Sequence, residues 1–213
     1  NPFPVGVVVS ATFRDAGHLL GSSTVSLDVG KKPSRKRLLF TGDLGRRNMP
    51  ILMDPVVVKN VHVLITESTY GNRVHPPRAD VAGRLKGFIE DITLQKSKLI
   101  IPSFSVGRTQ EIVYFLNEIY GQGRIPAVPV YVDSPLSSRA TEVYEKHPEC
   151  FDSEATRILM EGDQPFQFRA LRYVTETEES KKLNDMPGPM IIISSSGMCE
   201  GGRIVHHLMN NIE

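Results

Sequence analysis

The fold class of this chain follows from the stretch Lys98-Leu-Ile-Ile-Pro-Ser-Phe-Ser-Val-Gly-Arg-Thr-Gln110. An apolar run of strand length opens it, and a polar turn rich in Ser and Gly follows. Immediately afterwards, Thr109 to Tyr120 carries apolar residues at helical spacing, namely Ile112, Val113, Leu116 and Ile119. A strand, a loop and an amphipathic helix in this order form the repeating unit of a parallel α/β sheet.

The same unit recurs on both sides of this stretch. Upstream, Val81 to Ile92 shows helical spacing, and downstream the apolar runs Val128–Val132 and Pro189–Ser194 predict two more strands. Four further helices are predicted, at Ser137–His147, Ser153–Met160, Glu176–Asp185 and Gly201–Asn210. We therefore expect one α/β domain over residues 78–211.

The part of the chain up to Pro77 is different, because its pattern predicts strands and no helices. The predicted strands are Val5–Ser10, Thr24–Val29, Arg37–Thr41 and Val61–Thr66. We take residues 1–77 as a separate β-rich domain. Its basic stretch from Gly30 to Arg37 contains five Lys and Arg residues, and we interpret it as an exposed hairpin tip rather than an RNA contact.

Composition restricts the function classes. A chain of 213 residues with 40% hydrophobic content and a net charge of +1 is ordinary for a globular protein, so any nucleic-acid site must be local. No apolar run is long enough for a membrane span, and the first residues predict a strand entering mid-domain rather than a signal peptide. Cys150 and Cys199 stand outside any Cys-x-x-Cys pair and favour a reducing cytoplasm.

Three short segments carry the candidate chemistry, and each adjoins a predicted strand. They are Gly17-His-Leu-Leu-Gly-Ser22, Phe40-Thr-Gly-Asp43 and Glu67-Ser-Thr-Tyr-Gly71. An imidazole and carboxylates are the donors that a hydrolytic zinc site needs. Taken singly, however, a histidine is more often a packing residue, and Gly-Asp after a strand is a common turn. The residues alone leave metal ligation open.

In this order and spacing, the three segments resemble the β-CASP branch of the metallo-β-lactamase-fold nucleases. That branch includes ribonuclease J and the endonuclease of pre-mRNA 3′-end cleavage. The stretches Pro102–Gln110, Val132–Leu136 and Ser196–Arg203 also look like segments of that family. The resemblance implies an α/β fold in which part of a metallo-β-lactamase αββα sandwich is followed by a β-CASP domain with a parallel α/β sheet.

The resemblance also implies an activity, that of a zinc-dependent ribonuclease with two zinc ions. Carried over residue by residue, His18 ligates one zinc and Asp43 bridges both. Glu67 is catalytic without being a ligand, because in that family this carboxylate bonds the histidine that protonates the leaving oxygen. For the remaining histidines, including His206 and His207, we predict no metal role.

A second candidate site lies at the predicted strand ends of the α/β domain. In such domains ligands bind beyond the carboxyl ends of the strands, and helix N-termini favour anions. We predict that these ends contact the RNA backbone through Ser105, Arg108, Ser196 and Arg203. The ordinary alternative is that Ser and Gly simply make strand-to-helix turns there.

The family's His-x-His-x-Asp-His segment would precede Asn1, and its later histidines would follow Glu213. We therefore expect this chain by itself to bind zinc weakly or not at all and to lack nuclease activity. Two other functions stay open: a non-catalytic RNA-binding or scaffold subunit, and a metallo-hydrolase for small esters. The sequence does not decide between endonuclease and 5′-exonuclease action, between RNA targets, or between a monomer and a homo-oligomer.

Overall fold

The structure is a computed structural model that describes residues 2–74, 80–123 and 125–212. Two compact units divide the chain, residues 1–76 with 149–156 and residues 77–148 with 157–213. The sequence-based boundaries, 1–77 and 78–211, stay a prediction, and the junction between them lies outside the described residues. Within the first unit, residues 149–156 return to pair with residues 51–53, for example through Asp152 N–H donating to the Ile51 carbonyl at 2.7 Å.

The first unit contains a five-stranded sheet in the order β1-β2-β3-β4-β5. The strands β1 to β4 pair antiparallel, whereas β5 joins β4 in parallel. Their bounds are Phe3–Gly6, Val9–Asp15, Ser23–Val29, Lys36–Phe40 and Val63–Ile65. The expectation of one strand over Val5–Ser10 is wrong, because the chain turns at Val7 and Val8 and β1 folds back on β2. A run of apolar residues signals strand propensity but not the point of reversal.

The basic stretch is indeed part of a hairpin, the connection between β3 and β4. Arg35 and Arg37 both form ion pairs with Asp28, which is only 8% exposed. The hydrogen bond from Arg37 outweighs the effect of burial and holds the pKa of Asp28 below its ordinary value. Arg35 and Arg37 therefore stabilise the hairpin through their ion pairs with Asp28.

The β5 strand is about half exposed. Val63, Leu64 and Ile65 are 47%, 57% and 48% exposed in the described residues. Burial of this strand is therefore not the reason for the contacts of Glu67, which lies two residues after it.

The second unit contains a four-stranded parallel sheet in the order β6-β9-β7-β8. The strand bounds are Lys98–Pro102 for β6, Val130–Asp133 for β7, Leu171–Val174 for β8 and Met190–Ser194 for β9. The α/β fold class is confirmed. Of these four strands, β8 was not expected, since a four-residue run with an arginine inside it carries a weak strand signal.

Helices connect these strands, as the alternating pattern predicted. The helix bounds are Val81–Gln95 for α1, Arg108–Gly121 for α2, Pro135–Lys146 for α3, Ser153–Met160 for α4, Thr177–Asp185 for α5 and Arg203–Asn211 for α6, with a short 3₁₀ turn at Pro148–Cys150. In the part of the chain that the structure describes, none of them has the length and apolarity needed to cross a bilayer.

The register of the sheet brings the strand ends together. Ser194 is paired with Pro102 on one side and with Asp133 on the other, and Asp133 is paired with Val174. All four strands are parallel, so these residues form one edge of the sheet. The residues that follow them in the chain must start from neighbouring positions on that edge.

Candidate functional sites

The loops that carry His18 and Asp43 contact each other through their backbones. Gly45 N–H donates to the Ala16 carbonyl at 2.8 Å. A Cβ atom on Gly45 would lie 1.9 Å from the Gly17 carbonyl oxygen and 2.6 Å from the His18 nitrogen. Only a glycine permits so close an approach. The two predicted ligands therefore lie on adjoining loops of the same unit, and both are exposed.

Residues of the first motif shape the His18 loop locally. Gly17 has φ +64°, and a Cβ there would lie 2.9 Å from the Met53 carbonyl oxygen, so both conformation and space require glycine. The Ser22 hydroxyl accepts hydrogen bonds from the N–H groups of His18 and Leu19, each at 3.1 Å. The Gly and Ser positions of the motif thus hold the turn that presents His18.

Glu67, from the third segment, contacts the loop that carries Asp43. Its Oε1 accepts the Leu44 N–H at 2.9 Å, and its Oε2 accepts the Thr69 hydroxyl at 2.7 Å. These two bonds, with a smaller effect of the His18 charge, lower the pKa of Glu67 below its ordinary value. Glu67 therefore supports the backbone directly after Asp43. Its predicted contact with a general-acid histidine stays a prediction.

An imidazole and a carboxylate suit zinc, but two such side chains are fewer than a protein zinc site usually has. A catalytic zinc is usually held by three protein ligands and a structural zinc by four. Within residues 2–74, 80–123 and 125–212, no group of three or more His, Cys, Asp or Glu side chains could hold a metal ion. The two predicted ligands, His18 and Asp43, therefore do not by themselves complete a zinc site among the described residues.

The second unit presents connected hydroxyls where three of its strands end. The Ser134 and Ser195 Oγ atoms are 2.8 Å apart, and Ser105 Oγ lies 3.4 Å from Ser134 Oγ. We call these three residues the serine edge. Ser134 also caps α3, since its Oγ accepts the Ser137 N–H at 3.2 Å. Of the three, only Ser105 was predicted as a site residue; Ser134 and Ser195 directly follow the paired strand ends at Asp133 and Ser194.

The two arginines predicted to contact RNA have different surroundings. Arg108, the first residue of α2, has a side chain that is 59% exposed and donates to Glu111 Oε2 at 2.6 Å. Arg203, the first residue of α6, donates to Asp133 Oδ1 at 2.7 Å and to the carbonyls of Val174 and Thr175 at 3.2 and 2.7 Å. Arg108 faces solvent, whereas Arg203 is largely engaged inside the unit.

Asp133 is a fully buried carboxylate that the sequence analysis did not single out. Besides Arg203, it accepts hydrogen bonds from the Ser180 hydroxyl and from His207 Nε2, the latter at 2.6 Å. Burial by itself would raise the pKa of Asp133, but the hydrogen bonds from His207, Ser180 and Arg203 outweigh it and keep that pKa below its ordinary value. The sequence offered one signal for this contact: Arg203 and His207 are spaced i, i+4 on a predicted helix, so both side chains lie on one face and can share a partner.

Ser196 belongs to a loop that closes on itself before α6. Ser196 N–H donates to the Gly201 carbonyl at 3.1 Å, and Ile204 N–H donates to the Ser195 carbonyl at 3.2 Å. Gly202 has φ +80°, and a Cβ on it would lie 2.3 Å from the Ser195 carbonyl oxygen. The first and last residues of this loop are therefore in direct contact.

Several known proteins are similar to this chain. Residues 109–213 match the model of the Beta-Casp domain. The chain is 38% identical over 205 residues to Ribonuclease TTHA0252 of Thermus thermophilus, an alignment that covers 96% of this chain and 46% of that protein. It is 34% identical over 209 residues to Transcription termination factor FttA of Methanocaldococcus jannaschii, covering 96% and 32%. The RNase J-like protein of the same archaeon is 32% identical over 199 residues, covering 92% and 44%. The chain thus spans less than half the length of these curated relatives.

Proposed function

Because the chain belongs to the β-CASP family of the metallo-β-lactamase fold, we propose that the full-length protein is a zinc-dependent ribonuclease that hydrolyses RNA phosphodiester bonds. The observation that carries the proposal is the contact of Gly45 with Gly17 and His18, next to the bond from Leu44 to Glu67. Three motifs that are far apart in sequence thereby occupy one locality. Relatives named ribonuclease and RNase J-like support the same reaction class.

In this proposal His18 would hold one zinc ion, and Asp43 would contribute to holding both. Zinc, when bound, supplies a water activated for attack on phosphorus. Glu67 holds the backbone after Asp43 by accepting the Leu44 N–H. The remaining ligands are not among the described residues. For this reason we also propose that residues 1–213 alone bind zinc weakly or not at all and do not cleave RNA.

We assign RNA-backbone contacts to the second unit, at Ser105, Arg108 and Ser196. Arg203 is the fourth predicted contact, but its guanidinium already donates to Asp133 and to the Val174 and Thr175 carbonyls. The serine edge supports this assignment because hydroxyls donate to phosphate oxygens, and because α2, α3 and α6 all begin at that edge. Arg108 is the more exposed of the two arginines and offers a guanidinium for bidentate phosphate binding. The net charge of +1 means that attraction of RNA depends on such local groups.

The decisive experiment is an RNA-cleavage assay with the full-length protein and zinc. We expect Asp43→Ala to reduce cleavage of a single-stranded RNA by about 100-fold or more. Asp91→Ala, which removes an exposed carboxylate from α1, is the matched control and should cleave like the parent. Full cleavage by Asp43→Ala would defeat the assignment. RNA binding by the parent without any cleavage would instead favour the non-catalytic RNA-binding subunit.

The proposal includes a cytoplasmic location. Cys150 and Cys199 are both free thiols, which suits a reducing compartment. Microscopy of the tagged full-length protein tests the location, and secretion of the protein would contradict it.

A further inference from the structure

Asp133 connects three elements of the second unit. It ends β7, its side chain is 0% exposed, and its partners are Ser180 on α5 and both Arg203 and His207 on α6. A group that is fully buried in this way cannot itself touch an RNA strand at the surface. Its effect on a ligand must pass through the residues that it holds.

The carboxylate holds α6 at two points. Arg203 donates to Oδ1 and His207 donates to Oδ2, and these residues lie one helical turn apart. Arg203 also reaches the Val174 and Thr175 carbonyls where β8 ends. Both the direction of α6 and the position of its first residue are thereby tied to the strand ends.

Close backbone contacts connect the start of α6 to the serine edge. Gly202 immediately precedes Arg203 and lies so close to Ser195 that a Cβ would stand 2.3 Å from the Ser195 carbonyl oxygen. Ser195 Oγ in turn lies 2.8 Å from Ser134 Oγ. A shift of Arg203 therefore moves Gly202, and with it the hydroxyl of Ser195 and the backbone of Ser196.

We propose that Asp133 is a positioning residue for RNA-backbone binding at the serine edge, acting through Arg203 and the loop from Ser195 to Gly202. This inference rests on the proposed function of that edge. It divides the two arginines: Arg108 is the cation that faces phosphate, and Arg203 sets the geometry of the loop. The Arg203 guanidinium is 20% exposed and already has three internal acceptors, whereas that of Arg108 is 59% exposed and therefore more available to phosphate.

The test measures binding of a single-stranded oligouridylate to the full-length protein at several salt concentrations, in an Asp43→Ala background that prevents cleavage. We expect Asp133→Asn and Arg203→Lys each to weaken binding on the order of tenfold. Their dependence on salt should match that of the parent, because no phosphate contact is removed. Arg108→Gln should instead lower the slope of log K against log salt by about 0.7.

Lys98→Met is the control for a general loss of stability. Lys98 Nζ donates to the Leu183 and Asn184 carbonyls and to Asn211 Oδ1, so this change weakens α5 and α6 at their ends, away from the serine edge. We expect Lys98→Met to lower the melting temperature without weakening RNA binding. Arg203→Lys keeps a cation next to Asp133 and serves as the informative variant if Asp133→Asn does not fold.

Two results would overturn the inference while leaving the proposed function standing. One is unchanged affinity in folded Asp133→Asn or Arg203→Lys, and the other is an equal loss of affinity in Lys98→Met. If the parent fails to bind the oligouridylate, or if Arg108→Gln leaves the salt slope unchanged, the RNA-binding edge itself is wrong and the inference falls with it.

Discussion

A side chain on Gly45 would meet the carbonyl oxygen of Gly17 at 1.9 Å, so the loop after Asp43 and the loop before His18 touch backbone to backbone. The contact explains why two motifs separated in sequence can serve one site. Gly45 has no side chain that could bind a metal, but its close approach to Gly17 determines the geometry of the candidate metal site.

Gly45→Ala should separate these loops. The added methyl group collides with backbone rather than with a flexible side chain, and we expect a loss of about 1–3 kcal/mol in the free energy of unfolding. In the full-length protein, RNA cleavage should fall as well. Urea unfolding and the cleavage assay measure the two effects. Gly6→Ala is the matched control because a Cβ on Gly6 meets no atom within 4 Å. Equal stability of the two variants would contradict the expectation.

Acid should destabilise the protein partly through Asp133. Its pKa is lower in the folded chain than in the unfolded one, so its ionised form stabilises the fold above the unfolded pKa of about 4. That stabilisation is lost as the pH falls through the folded value. We expect the melting temperature of Asp133→Asn to change less than that of the parent between about pH 5 and pH 2. Asp91→Asn should follow the parent. If the melting temperature of Asp133→Asn falls with pH as steeply as that of the parent, this account is refuted.

Lys98→Met should destabilise the second unit by about 1–3 kcal/mol, because three oxygen acceptors lose a charged donor. Hydrogen exchange should accelerate at the ends of α5 and α6. Lys181→Met on α5 is a suitable comparison, since the Lys181 side chain is 66% exposed and its ion pair is with the exposed Glu178. Equal exchange in both variants would show that the Lys98 contacts contribute little.

The chain of residues 1–213 alone should not retain zinc. The two predicted ligands, His18 and Asp43, are fewer than the three that a catalytic zinc site usually uses. We expect equilibrium dialysis at micromolar zinc to find no stoichiometric binding to this chain, and the same chain to leave RNA intact. Tight binding of one zinc per chain, lost in His18→Ala, would contradict this expectation and show that the chain supplies further zinc ligands.

Local sequence patterns predicted much of the secondary structure. The apolar run that begins at Lys98 is β6, and the predicted helix Ser153–Met160 has the bounds of α4, because such runs and spacings reflect burial over a few neighbouring residues. The same patterns missed the turn at Val7 and Val8 and the strand β8. In both cases pairing with another strand, rather than local composition, defines the element.

The sequence by itself determined the alternation of strands and helices, the three motifs with His18, Asp43 and Glu67, and the family. Each depends on residues close together in the chain or on their order. Only the tertiary structure decided that Arg203 is bound by Asp133, a residue 70 positions earlier, while Arg108 faces solvent. Both arginines begin helices after Ser/Gly loops and look alike in sequence. The order β6-β9-β7-β8 places the end of β7 beside the start of α6, and strand order arises from long-range packing that local periodicity does not encode.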